Sequence, residues 1–183
     1  GQSYISLKVF DGAGNSFTAN DSFYVYKDTQ PPTVTKNSMP TIDDWLTSDP
    51  GSAIDVDIND QSTLSKLTSA YYLIYPDPDL SGALIAESTI YLFTPDRTSF
   101  SSNFALKSGH WDLLNNTTNY VSIKAYDVAG NIEISSDTFR IFKDTVPPGA
   151  ITSLSVTAGP YRGSVDLSWI APGDNDFIYH NVN

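Results

Sequence analysis

The feature that most constrains the fold of this chain is an internal repeat. Residues 4–32 read YISLKVFDGAGNSFTANDSFYVYKDTQPP, and residues 120–148 read YVSIKAYDVAGNIEISSDTFRIFKDTVPP. The two segments align without a gap at a constant offset of 116 positions. Repetition at a fixed spacing is typical of chains built from a string of similar units. The sequence therefore predicts a fragment of a tandem-repeat protein.

Each copy has the pattern of a β-hairpin. In the second copy Val121, Ile123 and Ala125 alternate with polar or larger residues, and Phe139 and Ile141 continue the apolar side after a Gly-containing turn. A period of two residues predicts strands with one buried face. The rest of the segment between the copies adds strand patterns at 54–58, 71–75 and 83–94, whereas 97–108 predicts a loop or a short irregular strand.

The sequence Lys-Asp-Thr-x-Pro-Pro ends both copies and predicts a stiff joint. Two consecutive prolines donate no hydrogen bond to a β-ladder and hold the backbone extended. An offset of 116 residues is close to the usual size of one β-sandwich domain. We therefore expect the last hairpin and linker of a preceding domain at 1–32, a complete sandwich at 33–148, and the first strands of a third, truncated domain at 149–183.

The second copy also carries a family resemblance. Asp127-Val128-Ala129-Gly130-Asn131 at the end of a strand, followed by Asp144-Thr145-x-Pro147-Pro148, resembles bacterial immunoglobulin-like repeat domains. Trp45, the turn at 60–62 and Tyr71-Tyr72 are similar to the first half of such a domain, and Trp111 stands where the family often has a core Trp. The resemblance covers 4–148 and implies an all-β, immunoglobulin-like antiparallel β-sandwich.

The segment after Pro148 resembles a different domain. Residues 149–176 read GAITSLSVTAGPYRGSVDLSWIAPGDND, which is similar to the opening strands of a bacterial fibronectin type III domain with Trp169 as its core Trp. One departure from sandwich domains of this type concerns Tyr120, which has the opposite parity from Asn119 and Val121, so we expect no tyrosine corner.

Composition excludes several classes of partner. Ten basic and twenty-one acidic residues give a net charge of −11, so the surface repels phosphate backbones and we expect no nucleic-acid partner. The chain has no cysteine and hence neither disulfides nor thiolate chemistry. No apolar run approaches the roughly 18 residues of a membrane span, so we expect no membrane insertion. The acidic composition and the resemblance together favour an extracellular or cell-surface location.

Calcium at a joint between domains is the first candidate site. Oxygen ligands from a loop tip and a linker can converge there and stiffen a string of domains. The candidate ligands are Asp11, Asp28, Asp60, Asp127 and Asp144. The alternative is that these residues bond their own backbone as turn residues. The acidic run at 55–60 lacks the Gly and Glu of a helix-loop-helix calcium loop and instead predicts one solvated strand face.

Aromatic side chains form the second candidate site, for stacking on sugars of a polysaccharide or host surface. These residues are Tyr71, Tyr72, Tyr75, Tyr91 and Phe93. Their alternative role is ordinary packing or cross-strand pairing. The two histidines, His110 and His180, lie in different predicted domains, so we expect neither a histidine-based catalytic triad nor a zinc site, no cofactor other than structural calcium, and no enzymatic activity.

These observations predict a structural spacer or stalk module of a secreted multidomain bacterial protein, whose partners are the neighbouring domains of the same chain. One alternative is an adhesin-type module that binds carbohydrate or a host surface, and another is an accessory domain of a secreted hydrolase. A lone hairpin is marginally stable in water, so residues 4–27 should pack on the middle domain or complete the sheet of a neighbouring chain.

Overall fold

A computed structural model describes residues 1–38, 44–61, 65–93 and 97–173. These residues are almost all β-structure, with one short helix. The elements are β1 (Gln2–Phe10), β2 (Ser16–Tyr26), β3 (Thr33–Ser38), β4 (Asp55–Asn59), β5 (Leu67–Tyr75), β6 (Ala86–Leu92), β7 (Ser99–Phe100), α1 (His110–Leu113), β8 (Thr118–Asp127), β9 (Ile132–Phe142), β10 (Thr152–Ala158) and β11 (Val165–Ile170).

Two antiparallel sheets enclose the core. One has the strand order β6-β5-β8-β9 and the other the order β3-β4-β7. Val56 and Ile58 on β4, and Val121 and Ile123 on β8, are fully buried. The predicted all-β sandwich is therefore confirmed, and the alternating patterns of β4 and β8 arise because every second side chain enters this core.

Strand β5 lies in the middle of the larger sheet and anchors the irregular segment at 97–108. Tyr72 is buried in the core, and its hydroxyl accepts a hydrogen bond from the amide of Lys107 (2.9 Å). The same hydroxyl is 2.8 Å from Nδ1 of His110. Burial raises the pKa of the Tyr72 hydroxyl. Within this segment only β7 is strand, as the sequence predicts.

A buried lysine holds the turn that contains α1. The ammonium of Lys143 donates to the carbonyl oxygens of Trp111 (2.9 Å) and Leu114 (3.0 Å), and it lies 5.1 Å from the centre of the Trp111 ring. The Trp111 carbonyl also accepts from the backbone amide of Leu114 (3.2 Å) at the C-terminal cap of the short helix, so the ammonium adds a second donor there. The Lys143 side chain therefore fastens the end of β9 to α1.

The two copies of the repeat fold into hairpins with the same backbone details. Gly14 in the β1–β2 turn and Gly130 in the β8–β9 turn both have φ of +89°, a conformation that glycine adopts without steric cost. A second shared feature is a bulge at Asp21 and at Asp137, with φ of +48° and +47°. These features recur at the offset of the repeat because local sequence sets them.

The β1–β2 and β10–β11 hairpins form separate two-stranded sheets. Within the described part of the chain, β1 and β2 pair with each other alone. Nor do these residues contain a helix that is long and apolar enough to cross a membrane. The limits predicted for the three domains stay predictions, although every residue of the buried core lies between Ile54 and Ile141.

Candidate metal centre

Three of the five predicted aspartates converge at one end of the sandwich. Asp28, Asp60 and Asp127 each present a carboxylate oxygen, and these three atoms all lie within 4.8 Å of one another. Asp28 belongs to the linker after β2, Asp60 directly follows β4, and Asp127 is the last residue of β8. The cluster therefore joins the linker to both sheets of the sandwich.

The backbone at this end of the sandwich positions the carboxylates. The amide of Asp60 donates to the carbonyl oxygen of Thr98 (2.8 Å), and the amide of Val128 donates to that of Lys66 (2.8 Å). In the ladder between β5 and β8, Leu67 lies opposite Asp127. Because β4 and β8 end and β5 begins at the same edge, residues distant in the sequence become neighbours.

The linker is fastened to the same place. Oδ1 of Asp28 accepts a hydrogen bond from the amide of Gln30 (3.0 Å), and the side-chain amide of Asn131 donates to the carbonyl oxygen of Gln30 (3.3 Å). Pro32, two residues later, is fully buried. The linker thus enters the sandwich in a defined position and holds Asp28 beside the other two carboxylates.

The cluster is shielded from water. Asp60 and Asp127 are only 7% and 3% exposed, and the Oδ2 atoms of Asp28 and Asp60 are buried. Carboxylates that share such a site repel one another and lose hydration, which disfavours their charged forms unless a cation or hydrogen-bond donors compensate. Two ligands of one Ca²⁺ ion lie at most about 5 Å apart, since each is about 2.4 Å from the ion. The donor set therefore fits a hard divalent cation.

Asp127 also accepts hydrogen bonds within its own turn, which was the alternative to metal binding for these aspartates. Its Oδ1 accepts from the backbone amide of Asn131 (2.8 Å) and its Oδ2 from the Asn131 side chain (2.8 Å). Such bonds close the turn between β8 and β9. A carboxylate oxygen has two lone pairs, so these bonds leave acceptor capacity for a ligand role.

The other two predicted ligands lie elsewhere. Asp11 is exposed in the β1–β2 turn, where hydrogen bonds from Asn15, above all from its side chain, lower the pKa of the Asp11 carboxyl. Asp144 is buried at the opposite end of the β8–β9 hairpin, and its Oδ1 accepts from the amide of Val146 (2.8 Å). Among the described residues neither aspartate joins a metal-binding cluster.

The prediction that Tyr72 and Phe93 stack on sugars is wrong, because both side chains belong to the core. Tyr72 is 1% exposed and Phe93 is 7% exposed, so neither ring has a face available to a ligand. Tyr72 has the inward parity of β5. The Phe93 ring packs against Phe100, with ring centres 5.7 Å apart.

The remaining three aromatic residues are accessible to different degrees. Tyr71 and Tyr75 are half-buried on the outer face of β5. Tyr91 is 37% exposed, but its ring packs against Phe100 at 5.5 Å and the Arg97 guanidinium lies over it at 5.3 Å.

One aromatic neighbour was missed from the sequence. Tyr126 on the outer face of β8 contacts Tyr71 edge to face, with ring centres 6.0 Å apart, and both line a shallow depression with Glu87. The ammonium of Lys124 lies 5.1 Å from the centre of the Tyr126 ring, and the hydrogen bond to Tyr126 raises the pKa of Lys124. The alternation of β8 contained the signal, since Lys124 and Tyr126 both have outward parity.

Comparison with models of known protein families finds no matching family, and comparison with curated proteins finds no similar sequence. The resemblance to bacterial immunoglobulin-like repeats therefore stays a prediction that depends on the residues quoted for it. The all-β fold and the aspartate cluster do not depend on that resemblance, because both follow from the geometry of this chain.

Proposed function

We propose that this chain is a non-catalytic spacer of an extracellular or cell-surface multidomain protein, and that a calcium ion stiffens the joint before its complete sandwich. The observation that carries the proposal is the convergence of Asp28, Asp60 and Asp127. A spacer transmits its length only if the joints between its domains resist bending. This cluster contains one ligand from the linker and two from the sandwich that follows it.

The contacts of the linker support a stiff joint. Pro32 is buried and the Gln30 carbonyl accepts from the Asn131 side chain, so the linker is already docked on the sandwich. An ion between Asp28 and the two sandwich carboxylates would add ligand bonds across the same contact and offset their mutual repulsion. The residues that would hold it are Asp28, Asp60 and Asp127, and its role would be structural.

Thermal unfolding of residues 1–183 in calcium and in a chelator tests the proposal. Binding to the folded state alone adds about 2.7 kcal/mol when free calcium exceeds the Kd about 100-fold. For a chain of this size, that corresponds to a rise in Tm of roughly 5–10 °C. Asp60→Asn and Asp28→Asn, which remove a charge and preserve shape, should abolish the calcium-dependent part of the rise.

Asp144→Asn is the matched control. Asp144 occupies the position of the second joint that corresponds to Asp28 at the repeat offset, and it likewise caps the residue two positions later. This variant should retain the full calcium-dependent rise. Equal Tm values in calcium and chelator, or loss of the rise in Asp144→Asn as well, would contradict a calcium ion at the Asp28 cluster.

The second candidate function is carbohydrate or host-surface binding. The observation that favours it is the depression lined by Tyr71, Tyr126 and Glu87, since aromatic rings with nearby polar groups suit sugars. However, the Lys124 ammonium lies over the Tyr126 ring, where a sugar would have to stack. The edge-to-face contact between Tyr126 and Tyr71 is ordinary cross-strand packing. An accessory role beside the catalytic domain of a secreted hydrolase is the third candidate. We prefer the spacer because its site joins three separate segments.

A further inference from the structure

The β1–β2 hairpin presents an apolar face that is open to water. Leu7, Val9, Phe23 and Val25 are each between 47% and 61% exposed. They lie on the same face of the two-stranded sheet, as the pairing of Ile5 with Phe23 and the alternation along each strand indicate. A contiguous exposed apolar face of this kind marks an interaction surface.

The second copy of the repeat shows what this face is shaped to contact. At the repeat offset, Leu7 corresponds to Ile123, Val9 to Ala125, Phe23 to Phe139 and Val25 to Ile141. All four equivalents are at most 2% exposed, because the sandwich formed with residues 33–119 covers them. The two hairpins share their turn and bulge geometry, so the exposed face of the first already has the required shape.

One edge of the hairpin is open in the same way. Strand β8 bonds to β9 on one side and to β5 on the other, with Tyr72 opposite Ile123. Strand β1, its equivalent, bonds to β2, and the described residues add no strand on its other side. A strand like β5 would therefore place a residue equivalent to Tyr72 opposite Leu7.

Two polar anchors recur as well. The Asp137 carboxylate accepts a hydrogen bond from the backbone amide of Asp79 (3.1 Å), and Lys143 bonds the carbonyls at the end of α1. Their equivalents Asp21 and Lys27 are both exposed. Acceptor and donor groups are thus present where a partner like residues 33–119 would supply their counterparts.

We infer that the apolar face and open β1 edge of the first hairpin are an interface for a half-sandwich like residues 33–119, so that hairpins of this repeat are interchangeable between such half-sandwiches. A second copy of this chain fits the surface less well. Its own residues 33–119 are already covered by β8 and β9, so it could accept another hairpin only by releasing them.

A fused chain tests this inference. Residues 33–119 are placed directly before Tyr4 of the chain, which reproduces the native junction between Asn119 and Tyr120. Hydrogen exchange is then compared with residues 1–183. Amides of β1 and β2 should exchange at least about 1,000-fold more slowly in the fused chain, as expected when a hairpin joins a cooperative core. Unchanged exchange, with the second sandwich intact as internal reference, would overturn the inference.

Phe23→Ala supplies the variant test. In residues 1–183 it should leave the Tm unchanged, because the ring contacts no core. In the fused chain it should abolish most of the new protection, whereas Tyr161→Ala, at a residue 79% exposed in the third segment, should leave that protection intact. Light scattering of residues 1–183 identifies the competing partner. A dimer whose β1–β2 amides become protected as concentration rises would show that a second copy covers the face, and would overturn the proposed partner.

Discussion

The sequence Lys-Asp-Thr-x-Pro-Pro occurs twice in this chain. The first copy is buried at its last residue, and the second copy is buried at its first residue. In the first copy Lys27 is exposed and Pro32 is buried; in the second Lys143 is buried and Pro148 is exposed. Lys143 bonds carbonyl oxygens of α1 and the residue after it, and Pro32 directly precedes β3, so both buried residues belong to the sandwich formed by β3 to β9. The comparison teaches that the sandwich buries the end of the motif that precedes it and the start of the motif that follows it.

The two halves use different chemistry. The leading half fastens to the sandwich before it through the Lys143 ammonium and two carbonyl oxygens, which is a directional, charge-assisted contact. The end of the first copy instead buries Pro32, an apolar side chain that also restricts the backbone directly before β3.

Substitution of the lysines should break this comparison with the largest effect. Lys143→Met keeps the aliphatic stem but removes the ammonium that donates to the carbonyl oxygens of Trp111 and Leu114, at an expected loss of roughly 2–3 kcal/mol in the free energy of unfolding. Lys27→Met, at the equivalent exposed position, should change it by less than about 0.5 kcal/mol. Urea denaturation of both variants measures the difference, and equal losses would show that the motif is not divided between its neighbours.

The prolines test the other half of the motif. Pro32→Ala removes buried methylene groups and loosens the unfolded chain, so we expect a loss of about 1–2 kcal/mol. Pro148→Ala affects an exposed residue and should lose at most about 0.5 kcal/mol. The same denaturation experiment measures both. A Pro148→Ala loss as large as that of Pro32→Ala would mean that backbone restriction, rather than docking on the following sandwich, stabilises the joint.

Local patterns made most of the fold predictable. The alternation of β4, β8 and β9 and the repeated turn depend on neighbours in the sequence, and the structure confirms them. The aromatic residues were harder, because Tyr71 and Tyr72 are adjacent and either could face the core. Only the register of β5 against its neighbours assigns Tyr72 inward.

The aspartate cluster was predictable in kind but not in membership. Turn and linker aspartates are visible in the sequence, yet which of them meet depends on the sandwich that brings the linker, β4 and β8 to one end. Asp144 has the same sequence neighbours as Asp28, but it lies at the opposite end of the β8–β9 hairpin from Asp127. The role of Lys143 was missed because Lys-Asp-Thr before two prolines reads as an exposed linker.

The smallest expected effect is a change in the pKa of one side chain in the β1–β2 turn. We expect the structure of this turn to be independent of its surroundings. Hydrogen bonds from Asn15 lower the pKa of the Asp11 carboxyl below its ordinary value. A lowered folded-state pKa contributes stability that is present above the ordinary carboxyl pKa and is lost as pH falls through the lowered value. Asn15→Ala removes the side-chain donor, so the pKa should rise towards the ordinary value, as a carboxyl-carbon NMR titration would measure. An unchanged pKa would indicate that the turn does not form without a covering sandwich, and that the two hairpins differ in local structure as well as in burial.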